Sequence, residues 1–123
     1  MRAGFCADHG VVAEGVSQSG CEVTQLVAQS IAEGTANINL MAGFSNADVY
    51  AVDMGMLNPV HGTIDRRITA GTANMAVGPA MTREQAQRAL QAGIDLVGEM
   101  KEKGYQIILT GEMGIHRHHA GVR

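Results

Sequence analysis

The chain has 123 residues, 46% of them hydrophobic and 17% charged, and a formal net charge of −3. This suits one folded domain and excludes wholesale disorder. Lys and Arg concentrate only at Arg66-Arg67 and in the extreme tail, which argues against a nucleic-acid or anionic-membrane partner, and no apolar run nears the ~18 residues that span a bilayer.

In chain order, Ala3 to Ala7 is a small apolar run that reads as a buried strand, ended by the turn residues Asp8-His9-Gly10. Residues 11–20 (VVAEGVSQSG) show no period and read as a loop. A helix is expected over Glu22 to Glu33, with Val23, Leu26, Val27 and Ile31 on its inner face and Gly34 as its stop. A second short helix follows at 36–43, then a strand at Asp48 to Met54. Leu57 to Ala70 reads as a loop, because Pro59, His61-Gly62 and Arg66-Arg67 leave no apolar period.

The strongest local signal is a helix over Arg83 to Lys103. Thr82 and Gln85 have capping-box spacing, Glu84 lies in the first turn, and Lys101 and Lys103 lie near the C-terminus ahead of Gly104. Ala86, Ala89, Leu90, Gly93, Leu96, Val97 and Met100 recur at helical spacing as the face to be buried. A strand at Tyr105 to Thr110 then runs into a turn holding Gly111 and Gly114. The order of strand, helices, strand, long helix and strand predicts a parallel α/β sheet with crossover helices.

Sixteen glycines are about twice the average share of ~7%, which points to tight turns. Two Phe, two Tyr and no Trp leave little stacking surface for single strands. The start, MRAGFCADHG, lacks the apolar stretch of a secretory signal. Cys6 and Cys21 fit no metal spacing and are too few for a disulfide scaffold, so a reducing, cytoplasmic setting is expected.

The segment YQIILTGEMGI at 105–115 holds the most chemical-looking turn. Two glycines three residues apart let backbone amides approach an anion, and a helix N-terminus would complete the cradle. The chain instead continues as HRHHAGVR, so it reads as part of an enzyme, with residues 1–115 as an incomplete α/β domain and 116–123 as a divergent tail. Elsewhere, Asp8 and His9 are either an acid–base pair or loop-fixing residues. Asn74 either bonds a ligand or its own backbone, and Ser19 is either a ligand contact or a loop serine. Met41, Met54, Met56, Met75, Met81 and Met100 read as core filler. His116, His118 and His119 are a candidate opportunistic metal cluster.

Seven phrases in a fixed order carry a resemblance: ADHGVVAEGVS (7–17), EVTQLVA (22–28), EGTANINLMA (33–42), VDMGM (52–56), GTAN (71–74), GPAMTREQA (78–86) and GEMGI (111–115). Through Ile115 the chain resembles the nicotinate-nucleotide–dimethylbenzimidazole phosphoribosyltransferase family. That resemblance implies a Rossmann-like α/β fold and transfer of the phosphoribosyl group of nicotinate mononucleotide to 5,6-dimethylbenzimidazole, by a homodimer with no metal at the reacting centre, and no cofactor is expected. It implies that Glu112, within the motif Gly111-Glu112-Met113-Gly114, and Ser19 touch substrate; Asp8, His9 and Asn74 join them as candidate substrate-binding residues with the alternatives given above. A glutamine that some members use against the base is matched here by Val27.

The family's general-base glutamate, near the C-terminus of full-length members, has no matching position in the chain. The family's N-terminal helical segment is unmatched too, so the chain alone is expected to be inactive. After Ile115 the resemblance implies Gly-Asn-Thr-Thr-Pro-Ala-Ser-Ala. Suitable codons for Asn-Thr-Thr-Pro-Ala-Ser and the start of the next Ala, read from their third base, give the His-His-Ala-Gly-Val-Arg of 118–123, so a frameshift is one reading of the tail. The rival reading is a non-catalytic α/β interaction or metal-binding domain whose His-rich tail is genuine.

Overall fold

The computed structural model describes residues 1–115. The readings of the tail, including the His cluster, therefore lie outside the described residues. Four parallel strands form one sheet: β1 (Arg2–Ala7), β2 (Val49–Gly55), β3 (Ile64–Asp65) and β4 (Leu109–Met113), in the spatial order β3-β2-β1-β4. Helices α1 (Glu22–Glu33) and α2 (Asn37–Phe44) connect β1 to β2, and α3 (Arg83–Glu102) lies between β3 and β4. The parallel α/β architecture expected from the element order is present.

The two layers are separate in their packing. Leu96 and Met100 of α3 bury with Met1, Ala3 and Val52, joined by the half-buried Phe5, Tyr50, Met54 and Ile108. Ala28 of α1 buries with Cys6 and Met56, joined by Val60 and Met113. Alternation along the strands explains the split, because Ala3 and Phe5 point one way and Cys6 the other.

Local signals held where they were densest. Thr82 Oγ1 accepts from Gln85 N–H at 3.1 Å while Gln85 Oε1 accepts from Thr82 N–H at 2.8 Å, completing the capping box of α3. Helix α1 keeps its expected bounds and ends at Gly34, whose φ of 82° is left-handed. Only glycine adopts that conformation without strain.

Several expectations are corrected. Residues 10–14 form a 3₁₀ turn (Gly10–Glu14) rather than open loop, closed by Val12 N–H to His9 O and Gly15 N–H to Val12 O, with Val11 buried. The segment 57–70 is not all loop, since Ile64 and Asp65 pair with Val52 and Asp53 as the edge strand β3. Two residues are too few to display a period. The last strand begins four residues later than expected and takes in Gly111, Glu112 and Met113. Tyr105 instead finishes α3, donating its N–H to Met100 O, and Leu109 N–H meets Met1 O to start the ladder with β1.

The inner faces also differ. On α1 the buried residues are Thr24, Ala28 and Ile31, whereas Leu26 is 60% exposed. The helix lies close enough to the sheet that a Cβ on Gly4 would be 3.7 Å from Ile31 Cδ1, and small side chains suit that approach. On α3, Leu96 and Met100 are buried, Ala86, Ala89 and Gly93 are half-buried, and Leu90 and Val97 are exposed. A periodic apolar stripe shows which face is apolar, and tertiary contacts decide how much of it is covered.

Candidate functional site

From β1 the chain crosses through α1 and α2 to β2 on one side, and later returns through α3 to β4 on the other. The direction of winding therefore reverses at β1. Open parallel sheets place their ligands in the crevice outside the strand ends at such a reversal. Here that crevice lies between Ala7-Asp8-His9 after β1 and Gly114-Ile115 after β4.

The two strand ends touch. A Cβ at Gly114 would lie 2.7 Å from Ala7 O, 3.0 Å from His9 Nε2 and 3.2 Å from His9 Cδ2. Glycine is thus required at 114 for close approach. Gly111 lies within β4 opposite Gly4, where a Cβ would be 3.9 Å from Ala3 O, so the expected pair of turn glycines is one strand glycine and one contact glycine.

Glu112 is exposed on β4 opposite Phe5 in register, and Met113 stands opposite Cys6 and packs in the α1-side cluster. Gly4, Val27, Ile31, Gly111, Glu112 and Met113 line part of a cleft of about 540 Å³ between α1, α2 and β4. Val27 thus lies on the same cleft as Glu112.

Asp8 is held on several sides. It is 3% exposed, and its Oδ2 accepts from Leu57 N–H at 2.7 Å. Its own N–H donates to Gly55 O at 3.0 Å, and its carbonyl accepts from Thr72 N–H at 3.0 Å. Asp8 therefore ties the exit of β1 to the exit of β2 at 55–57 and to the loop at Thr72, the loop-fixing alternative of the sequence reading. The neighbouring His9 bridges to Thr72, and Gly10 packs so tightly that a Cβ would be 2.6 Å from Asn74 N and from Thr72 O. Cys21, at the N-terminus of α1, has its thiol pKa raised by burial and then by the Asp8 carboxylate, partly offset by the His9 backbone.

Asn74 uses its side chain internally. Its Oδ1 accepts from Ala76 N–H at 3.0 Å, two residues on, and its Nδ2 donates to Glu14 Oε1, tying the 71–78 loop to the 3₁₀ turn. Ser19 is exposed, and its N–H donates to Ser17 Oγ at 3.0 Å. The structure thus brings Asp8, His9 and Gly114 together, sets Glu112 and Met113 along the adjoining strand, and leaves Ser19 on the surface.

Sequence reading missed Asp53. It is 1% exposed, and its Oδ1 accepts from Gly55 N–H at 2.9 Å and Met56 N–H at 2.8 Å, closing the exit from β2. Burial is the main cause of its raised pKa, while those two amides pull it back. An Asp two residues before Gly is an Asx-turn signal that could have found it. Among the described residues no group of three or more His, Cys, Asp or Glu is placed to hold a metal ion, and no helix is long and apolar enough to cross a membrane.

Residues 2–120 match the family model DBI_PRT, described as phosphoribosyltransferase. A nicotinate-nucleotide–dimethylbenzimidazole phosphoribosyltransferase from Ruminiclostridium cellulolyticum is 45% identical over 113 residues, covering 90% of this chain and 32% of the relative. The corresponding Geobacter metallireducens protein is 50% identical over 114 residues, with the same coverage of 90% and 32%. The crystal structure of the Thermus thermophilus phosphoribosyltransferase of that name superposes with a TM-score of 0.87 at 40% identity, over 94% of this chain and 36% of that one. The chain thus spans about a third of the length of these relatives.

Proposed function

The chain belongs to the DBI_PRT phosphoribosyltransferase family, and we propose that it supplies part of the substrate pocket of an enzyme that moves phosphoribosyl from nicotinate mononucleotide to 5,6-dimethylbenzimidazole. In that reaction an azole nitrogen attacks the anomeric carbon of the ribose, and the bond from that carbon to the pyridine nitrogen breaks. Nicotinate leaves, α-ribazole 5′-phosphate forms, and the azole N–H proton passes to a base. Catalysis of this kind rests on positioning both partners, on binding the phosphate and on a proton acceptor. The observation that carries the reading is the crevice at the winding reversal, where Gly114 lies against Ala7 and His9, within a chain that matches the family along nearly its whole length.

In this reading Gly114 lets the end of β4 close against Ala7 and His9 to form the wall of the crevice, and Glu112 organises the ribose from the adjoining strand. Gly111 and Met113 shape the floor of the cleft, and Ser19 meets the base from the α1 approach. Asp8, His9 and Asn74 act mainly by holding the loops that frame the pocket. The working enzyme is a cytoplasmic homodimer that needs no cofactor.

A chimera tests this directly. The 2–115 segment replaces its counterpart in the Geobacter metallireducens relative, and α-ribazole 5′-phosphate is followed by mass spectrometry. The chimera is expected to turn over, and Glu112→Gln within it to lower kcat/KM by about tenfold or more, the usual effect of losing a charged hydrogen bond. A folded but inactive chimera would overturn the assignment, and an unimpaired Glu112→Gln would make Glu112 a surface strand residue.

A further inference from the structure

Strand β2 carries one residue more than β1 where the two approach the crevice. Cys6 pairs with Asp53, but the next residue, Ala7, pairs with Gly55, so Met54 is the extra residue of a β-bulge. Bulges are rare between parallel strands, and they gather beside active sites, where they redirect the chain. Asp53 holds this one. Val52 packs on the α3 side, so Asp53 faces the α1 side with Cys6, and it is 1% exposed. Its Oδ1 takes the N–H groups of Gly55 and Met56, and the following N–H, of Leu57, goes to Asp8 Oδ2 on the neighbouring strand. Three successive amides at the exit of β2 thus point into two buried carboxylates, one from each strand. Gly55 O completes the link by accepting from Asp8 N–H and from Gly71 N–H, both at 3.0 Å.

We propose that Asp53 is a positioning residue for the crevice: by holding the bulge in β2 it fixes, through Gly55 and Leu57, where the exit of β1 stands against Gly114. The residues on either side of Asp8, Ala7 and His9, are the ones that Gly114 meets. A displaced bulge moves Asp8 through its bonds to Gly55 and Leu57, and Ala7 and His9 move with it. Burying a carboxylate is costly, and Asp53 spends that cost on aligning two strand ends rather than on a surface turn. Asp53 is too deep to meet substrate, so its effect on a reaction passes through these contacts.

Hydrogen exchange in the full 123-residue chain tests the coupling without an assay of turnover. Asp53→Asn keeps the shape of the side chain but loses the charge assistance, which roughly halves the strength of its two bonds. Exchange should quicken about fivefold or more at Gly55 and Met56, and also at Leu57, Asp8 and Thr72, with Leu109 at the other end of the sheet unchanged. Faster exchange confined to Gly55 and Met56, or spread equally to Leu109, would overturn the proposal. The second arm rests on the phosphoribosyl-transfer reading and uses the chimera. There Asp53→Ala should lower kcat by about tenfold or more with KM within about threefold, because a misplaced wall costs turnover before it costs binding. Asp53→Asn should fall between Asp53→Ala and the parent. Tyr105→Phe, which loses hydrogen bonds to Asp48 and Tyr50 at the amino end of the sheet, controls for stability and should keep its kcat. An unchanged kcat in Asp53→Ala (or in Asp53→Asn, should the alanine variant not fold), or an equal loss in Tyr105→Phe, would overturn the role. An inactive chimera would sink the transfer reading alone, and the exchange rates would still decide whether Asp53 sets the exit of β1.

Discussion

Alanine at Gly114 should destabilise the chain, whereas alanine at Gly111, three residues earlier, should not. At 114 the new Cβ would stand 2.7 Å from Ala7 O and 3.0 Å from the His9 ring. Neither neighbour yields easily. The backbone after Ala7 is held by Asp8 N–H to Gly55 O and by Thr72 N–H to Asp8 O, and the ring is half-buried. Overpacking in a well-packed region costs typically 1–3 kcal/mol, and a contact this short against a fixed carbonyl belongs at the upper end, about 2–3 kcal/mol. At 111 the nearest atom would be Ala3 O at 3.9 Å, ordinary contact, and the residue lies within extended strand. Replacing glycine there restricts the unfolded chain and gains roughly 0.4–1 kcal/mol. The two variants should therefore differ by about 3 kcal/mol. Urea unfolding of the wild type, Gly111→Ala and Gly114→Ala measures this, provided the m-values agree. Equal stability of the two variants, within about 0.5 kcal/mol, would show that β4 does not press against the end of β1, and the crevice described above would be wrong.

Gly10→Ala meets the backbone of Thr72 to Asn74 at 2.6 Å and should unfold the 71–74 loop, seen as loss of amide protection at Thr72 and Ala73. Thr82→Ala removes half of the capping box and should cost about 1 kcal/mol in the same urea assay; no change would mean that α3 adds little to the cooperative unit. Asp53 has a raised pKa in the fold, so the folded state binds its proton more tightly than the unfolded chain. Its contribution to stability is fully present below the ordinary carboxylate pKa and is lost as pH rises through the raised value. Asp53→Asn should remove that part of the decline, and an identical pH–stability curve for both proteins would refute it. Cys21 should alkylate more slowly than a free thiol near neutral pH, as followed by peptide mass spectrometry, and Asp8→Asn should speed it; equal rates would separate the two side chains.

The sequence by itself determined what near neighbours along the chain decide. The caps of α3, the bounds of α1 and its stop at Gly34 depend on hydrogen bonds between residues three to five apart, and such signals are local. The alternation of strands and helices was enough for a parallel α/β sheet, and the ordered phrases from Ala7 to Ile115 were enough for the family resemblance. The sequence also placed Asp8 and Gly114 among the site candidates, but not why they matter. Only the tertiary structure decided that β4 pairs with β1, that its register takes in Gly111 to Met113, and that α1 turns Ala28 rather than Leu26 to the sheet. It also decided that Asp8 joins Gly55, Leu57 and Thr72, and that Gly114 stops against Ala7. These contacts link residues roughly twenty to a hundred positions apart. The pairing of two strands depends on both at once and on the layer that covers them, so no short window of the chain carries the information.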